Sequence, residues 1–166
     1  DTLSDAINSI IKQTYANWEL ILCDDGSQDD TYQVALKYKE RYPDKIILLK
    51  NKENIRLAAT LNHCAKYATG KYIARMDGDD LALPDRFEKQ VDFLEEHPEY
   101  ALVGTYMKAF DEEGEKNVIP IKEIPVKTDL PKFNPFHHAT VMMKREAFEA
   151  LEGYRVSKLT TRAEDV

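Results

Sequence analysis

Short apolar runs alternate along the chain with segments that carry apolar residues at helical spacing. Three of the apolar runs have the composition of buried strands: Trp18 to Cys23, Ile46 to Leu49 and Lys71 to Met76. Helices are predicted after each of the first two runs, beginning at Asp30 or Thr31 and at Leu57, with others near Thr2 or Ser4 and after Pro84. Strands that alternate with helices predict an α/β fold with parallel pairing.

The pattern changes after Tyr100. Leu102 to Met107 has the composition of a strand, Asp111 to Gly114 that of a turn, and Val118 to Ile121 that of a strand returning antiparallel. A further strand over Thr140 to Met143 and a helix over Arg145 to Leu151 follow. The sequence therefore predicts one domain over residues 1–166, with a mostly parallel central sheet and a small antiparallel extension.

Composition limits the classes of function. The 166 residues fit one domain, and 43% hydrophobic residues are enough for a core. The net charge of -7 argues against a nucleic-acid partner, because phosphate backbones select for a basic face. Within these 166 residues, no run reaches the length of a membrane span and no secretory signal occurs. Cys23 and Cys64 match no zinc or disulfide pattern and are expected to be reduced thiols in a cytoplasmic protein.

Two predicted strands end in acidic clusters, Asp24-Asp25 and Asp77-Gly78-Asp79-Asp80. Ligands of open α/β sheets bind beyond the carboxyl ends of strands, and crowded carboxylates repel unless a cation compensates. Mg²⁺ or Mn²⁺ prefers such oxygen ligands, together with substrate phosphates. Two structural alternatives remain: Asp80 as a helix N-cap, and Asp24 to Ser27 as an Asx turn. The pair His137-His138 can likewise be structural, or can bind metal or acceptor.

Four stretches together are similar to a known family: WELILCDDGSQDDT, ATLNHCAKYATGKYIARMDGDD, LPDRFEKQVDFL and the closing Arg162-Ala163-Glu164-Asp165. In their order and spacing they resemble the family 2 glycosyltransferases, which are inverting enzymes. The resemblance implies a GT-A-like α/β/α sandwich of the nucleotide-diphospho-sugar transferases. It also implies a nucleotide-sugar-binding half over about residues 1–100 and an acceptor-side half over about 101–166.

The resemblance assigns roles to individual residues. Asp25 would accept a hydrogen bond from the nucleotide base, usually uracil, and Asp77 would lie near the ribose of the donor. Asp79 would ligate the Mn²⁺ or Mg²⁺ that bridges the diphosphate. Arg86 would support the donor site, and Asp165 would be the catalytic base that activates an acceptor hydroxyl.

The expected activity is sugar transfer from a nucleotide-diphosphate sugar, in the first instance a UDP-sugar, in surface polysaccharide or glycoconjugate synthesis. The acceptor is expected to be a saccharide or a lipid-linked molecule, and the resemblance allows peripheral membrane association at the inner face. Two other readings stay open: a noncatalytic nucleotide-sugar or carbohydrate-binding module, and a nucleotidyltransferase. Against the family pattern, the chain is expected to be truncated at both ends, and Arg56 stands where the family often has glycine.

Overall fold

The computed structural model describes residues 2–111, 113–121 and 136–156 of the chain. Within these residues, helices and strands alternate over the first hundred positions, as the sequence predicts, and short strands follow. The helices are α1 (Thr2–Ile11), α2 (Thr31–Arg41), α3 (Leu57–Ala65), α4 (Arg86–Glu96) and α5 (Arg145–Ala150), with a 3₁₀ turn at His138–Thr140. The strands are β1 (Leu20–Asp24), β2 (Ile46–Lys50), β3 (Tyr72–Ala74), β4 (Leu102–Val103), β5 (Met107–Asp111), β6 (Gly114–Ile119) and β7 (Met142–Lys144).

The first two strands form a parallel pair. β1 and β2 are in register from Leu20 opposite Ile46 to Asp24 opposite Lys50, and α2 makes the crossover between them. Ile46 is fully buried, as expected for a parallel strand that a helix covers. Because parallel strands end at the same edge, the residues that follow Asp24 and Lys50 lie side by side.

The third predicted strand pairs differently from the first two. In the part of the chain that is described, β3 pairs antiparallel with β7, which also pairs antiparallel with β4. The predicted antiparallel extension is present as the hairpin of β5 and β6, which turns between Asp111 and Gly114. The fold therefore combines a parallel sheet with antiparallel sheets, and described parallel pairing is confined to β1 and β2.

Helix α4 packs against the sheet of β3, β7 and β4 and forms a hydrophobic core with it. Val91 and Leu94 are buried on one face of α4 and pack with Met142 of β7. Arg86 and Gln90 lie buried on the same helix, so a polar pair is built into an otherwise apolar interface. No helix in the described ranges combines the length and the apolar character needed to cross a membrane.

Candidate functional site

The turn after β1 orients two adjacent carboxylates in different directions. Asp24 is buried, and its Oδ1 accepts a hydrogen bond from the Ser27 backbone N–H at 2.9 Å. This contact closes a local turn at the place that the sequence allowed, but it spans three residues and not the two of an Asx turn. Gly26 has φ +83°, and a Cβ there would lie 3.0 Å from the backbone nitrogen of Asn54, so a side chain would be excluded. The turn therefore holds Asp24 inward and brings the following residue, Asp25, against the loop after β2.

Three hydrogen bonds from the loop after β2 hold Asp25. Its Oδ1 accepts from Asn51 Nδ2 at 2.8 Å and from the Ile55 backbone N–H at 3.0 Å, and its Oδ2 accepts from the Arg56 backbone N–H at 3.1 Å. Partial burial favours the protonated acid, but these hydrogen bonds and the Thr60 hydroxyl outweigh it and keep the pKa of Asp25 below its usual value. Asp25 is therefore a fixed carboxylate at the carboxyl edge of the parallel sheet.

The loop that Asp25 holds contains a strained residue. Arg56 has φ +77°, in the left-handed region that favours glycine, at the position where the family pattern often has glycine. Its backbone N–H donates to Asp25 Oδ2 and also to Asn54 Oδ1, at 3.1 Å in each case. These contacts compensate for the strain, so the loop keeps a glycine-type conformation although its residue is arginine.

Asp77 is fixed by an arginine two residues earlier. Arg75 is buried, and its guanidinium contacts both carboxylate oxygens of Asp77, with an Nη1 to Oδ2 distance of 2.8 Å. Such a two-pronged contact fixes the orientation of a carboxylate more strictly than a single bond. Because the Asp77 side chain remains 42% exposed, it is held in place and still accessible to a ligand.

Arg86 lies behind this pair and does not reach the surface. Its Nη2 donates to the Arg75 backbone carbonyl at 2.7 Å, and its Nε donates to Gln90 Oε1 at 3.0 Å. Burial is the main reason that the pKa of Arg86 falls to about 10. Gln90 in turn donates to the Thr140 carbonyl at 2.8 Å. This network joins α4 to the segments next to β3 and β7. Arg86 therefore has the position of a residue that supports the site from behind.

The next two carboxylates differ from Asp77. Asp79 is exposed, and no described residue hydrogen-bonds to its side chain. Partial burial, with the charges of Asp77 and Asp79, raises the pKa of Asp80 above its usual value. Asp80 is not the N-cap of α4, because that helix begins at Arg86 and the residue before it is Asp85. The N-cap alternative for Asp80 is therefore wrong, and the charges of Arg75 and Arg86 offset the repulsion on Asp80 only in part.

A divalent cation fits this donor set in one respect. Asp79 offers an exposed carboxylate, and Mg²⁺ or Mn²⁺ commonly takes one or two carboxylates together with substrate phosphates. Among the described residues, no three carboxylate, imidazole or thiol groups come close enough together to hold a metal ion alone. A cation here would therefore need further oxygen ligands from a bound substrate or from water.

A cavity of about 890 Å³ is lined by residues from the first and third strands and their surroundings. Its lining includes Leu20–Asp24 of β1 and residues 71–78. Asp77 belongs to this lining, but Asp25 and Asp79 do not. The two acidic strand ends predict that Asp25, Asp77 and Asp79 converge in one cleft, because ligands bind at the carboxyl edge of such sheets. The cavity lining does not test this convergence, which stays a prediction.

The remaining sequence candidates have structural contacts or lie outside the described residues. His137 Nε2 is 3.2 Å from the Ile119 carbonyl, and His138 Nε2 is 2.8 Å from the Tyr154 hydroxyl. Each imidazole therefore already contacts a protein group. Asp165, the predicted base, lies outside the described residues, as does its neighbour Glu164.

Two residues that build the site, Arg75 and Asn51, and one that joins α3 to Tyr154, Asn62, have no role in the sequence analysis. The sequence places Arg75 in a predicted strand, and an arginine two positions before an aspartate is a signal for pairing at a strand end, because the two share a face. Asn62 accepts from the Tyr154 N–H and donates to the Tyr154 carbonyl, both at 2.8 Å. No local pattern signals this contact, because the two residues are 92 positions apart.

A family model described as Glycosyl transferase family 2 matches residues 1–152. Among curated relatives, EpsE of Bacillus subtilis (strain 168), a candidate glycosyltransferase, is 51% identical over 165 residues, which are 99% of this chain and 59% of EpsE. WfgD of Escherichia coli, a UDP-Glc:alpha-D-GlcNAc-diphosphoundecaprenol beta-1,3-glucosyltransferase, is 37% identical over 63% of this chain and 40% of its own length. The chain thus spans three fifths or less of these two relatives.

Two solved structures show the same fold. A mannosyltransferase from Pyrobaculum calidifontis, in complex with GDP-Man and Mn²⁺, has a TM-score of 0.71 at 21% identity and matches 93% of this chain and 44% of its own. S. aureus TarS 1-349 in complex with UDP has a TM-score of 0.74 at 18% identity and matches 98% of this chain and 48% of its own. The predicted GT-A-like fold is confirmed by these likenesses.

Proposed function

The chain belongs to glycosyl transferase family 2, and from that premise we propose that it transfers a sugar from a nucleotide-diphosphate sugar to an acceptor hydroxyl with inversion. The donor is a UDP-sugar, and the product belongs to a surface polysaccharide or glycoconjugate. The observation that carries the proposal is the contrast at the end of β3, where Arg75 fixes Asp77 and the exposed Asp79 has no described partner. This arrangement suits a donor whose phosphates bring their own cation.

The donor is bound by residues at the ends of two strands. Asp25 accepts a hydrogen bond from an N–H of the nucleotide base, and Asp77 accepts one from a hydroxyl of the ribose. Arg86 does not touch the donor, because it is buried and its guanidinium donates to Arg75 and Gln90. It supports the site by keeping the residues around Asp77 in position.

Asp79, together with the donor diphosphate, would hold Mn²⁺ or Mg²⁺. When bound, the cation stabilises the negative charge that the diphosphate gathers as it leaves. The chain supplies one exposed carboxylate for this purpose, and the Arg75 guanidinium holds Asp77 in a separate ion pair.

Proton removal is assigned to Asp165. Its carboxylate takes the proton from the acceptor hydroxyl while the acceptor oxygen forms a bond to the anomeric carbon. The bond between that carbon and the diphosphate oxygen breaks, and its electron pair leaves with the diphosphate. Attack from the face opposite the leaving group inverts the anomeric centre.

The acceptor is proposed to be a saccharide or a lipid-linked molecule, as the name of WfgD states for that relative. We place the protein in the cytoplasm, at the inner face of the membrane. Support comes from Cys23 and Cys64, which are both free thiols, a state typical of a reducing compartment.

The proposal is tested by screening the full-length protein against a panel of nucleotide sugars with and without Mn²⁺. We expect transfer or hydrolysis, and thermal stabilisation, with a UDP-sugar in Mn²⁺. Stabilisation without any turnover would favour the binding module. Release of diphosphate from a nucleoside triphosphate would favour the nucleotidyltransferase.

The metal assignment is tested with Asp79→Ala. The variant should bind UDP roughly tenfold more weakly in Mn²⁺, a loss of about 1.4 kcal/mol, and should no longer respond to the ion. Asp92→Ala is the matched control, since Asp92 is an exposed carboxylate on α4. If calorimetry finds the same Mn²⁺-linked UDP affinity in Asp79→Ala as in Asp92→Ala, Asp79 is not the metal ligand.

A further inference from the structure

A chain of polar contacts lies behind Asp25. Asn51, the first residue after β2, is buried, and its Nδ2 lies 2.8 Å from Asp25 Oδ1 and 3.2 Å from Thr60 Oγ1. Its Oδ1 lies 2.9 Å from Nδ1 of His63 on α3. The three side chains of His63, Asn51 and Asp25, which we call the relay, thus connect α3 to the carboxyl edge of the parallel sheet.

The chemistry of the groups fixes the direction of each hydrogen bond in the relay. An ionised carboxylate accepts only, so the amide group that faces Asp25 must be the NH₂ of Asn51. The amide oxygen of Asn51 then faces His63, and this oxygen carries no proton. Nδ1 of His63 must therefore carry one, so His63 donates to Asn51 and Asn51 donates to Asp25.

The relay determines which oxygen of Asp25 a ligand can use. Oδ1 accepts from Asn51 and from the Ile55 N–H, whereas Oδ2 accepts from the Arg56 N–H. Apart from the Thr60 hydroxyl, two donors contact Oδ1 and one contacts Oδ2, so the second oxygen keeps the greater capacity for another donor. If the Asn51 amide lost its orientation, Asp25 would keep the Ile55 and Arg56 N–H donors but would be held less strictly in this arrangement.

We propose that His63 and Asn51 are positioning residues that aim Oδ2 of Asp25 at a ring N–H of the donor nucleobase. This inference rests on the proposed function and extends it to base selection. A fixed carboxylate favours uracil, whose N3 carries a proton, over cytosine, whose N3 is an acceptor. His63 acts through Asn51 and does not touch the donor.

The test compares UDP with CDP binding to the full-length protein in Mn²⁺ by calorimetry. His63→Leu removes the hydrogen bond that His63 donates to Asn51. We expect this variant to lower the ratio of UDP affinity to CDP affinity about fivefold to tenfold. His63→Asn keeps an N–H near the position of Nδ1 and should restore most of the ratio. His97→Leu is the control, because His97 stacks with Phe93 at 4.7 Å and lies outside the relay.

A structural role alone would weaken binding of UDP and CDP equally, so an unchanged ratio in His63→Leu would overturn the relay. If the wild-type protein fails to bind UDP, the proposed function itself fails, which is a different result. A second measurement needs no nucleotide: His63→Leu and Asp25→Asn should shift the thermal unfolding midpoint non-additively. Additive shifts would show that the two side chains act independently and would also overturn the proposal.

Discussion

Aspartates follow both β1 and β3, but the protein binds the side chain of Asp25 and leaves that of Asp79 exposed. At the end of β1, Asp25 has protein donors on both oxygens, and its pKa is lowered. At the end of β3, Asp79 has no described partner, and the pKa of Asp80 is raised. The first arrangement suits a carboxylate that must keep one orientation. The second leaves the negative charge of Asp79 and Asp80 only partly offset until a cation or a donor group arrives.

The largest expected effect lies outside both strand ends. If both serve donor binding, neither supplies the base, and Asp165→Asn should reduce transfer roughly 10²- to 10⁴-fold while UDP affinity stays nearly constant. The asparagine keeps the size of the side chain but cannot take the proton. Single-turnover kinetics with an accepted acceptor, alongside calorimetry of UDP binding, measure the two quantities separately.

Glu164→Gln is the matched control for that experiment, since it changes the neighbouring carboxylate in the same way. Near-normal transfer by Asp165→Asn would remove Asp165 from the mechanism. A collapse in Glu164→Gln instead would move the role of base to Glu164.

The next effect is on stability and separates the two strand ends directly. Asp25→Ala removes the acceptor of the Ile55 N–H and one of the two acceptors of both the Asn51 amide and the Arg56 N–H, so we expect a loss of about 1–2 kcal/mol in the free energy of unfolding. Asp79→Ala should change it by less than about 0.5 kcal/mol, because exposed side chains contribute little. Urea denaturation of the two variants measures both free energies. Equal losses would show that Asp25 is held no more firmly than Asp79.

The smallest effect concerns pH. Because the pKa of Asp80 is raised in the folded state, the folded protein binds more protons than the unfolded chain just above the usual aspartate range. This carboxylate should therefore lower the free energy of unfolding as pH rises through that range, in metal-free buffer. Asp80→Asn should remove this decline and gain about 0.5 kcal/mol or less at pH 7.

Thermal unfolding of wild type and Asp80→Asn between about pH 3.5 and 7 tests this sign. Mn²⁺ added with UDP should narrow the difference between the two proteins, because a cation compensates the same charge. A wild-type curve that rises through this range as steeply as that of Asp80→Asn would show that Asp80 is not under repulsion.

The sequence by itself determined the elements and the positions of the acidic clusters. The apolar run before Asp24 and the run before Asp77 predict strands, and the strand ends lie within two or three residues of the predicted positions. The α/β class follows from the same alternation. These features depend on local composition and spacing, which a single sequence displays directly.

Tertiary structure alone decided how the carboxylates are held. The antiparallel pairing of β3 with β7 joins residues about 70 positions apart, and the relay brings His63 to Asn51 and on to Asp25. Arg56 takes a glycine-type backbone angle because Asp25 accepts its N–H. Contacts between distant segments depend on packing and register, and neither composition nor periodicity specifies them. The sequence could therefore mark Asp25 and Asp79 as candidates, but only the fold distinguished the fixed carboxylate from the unpaired one.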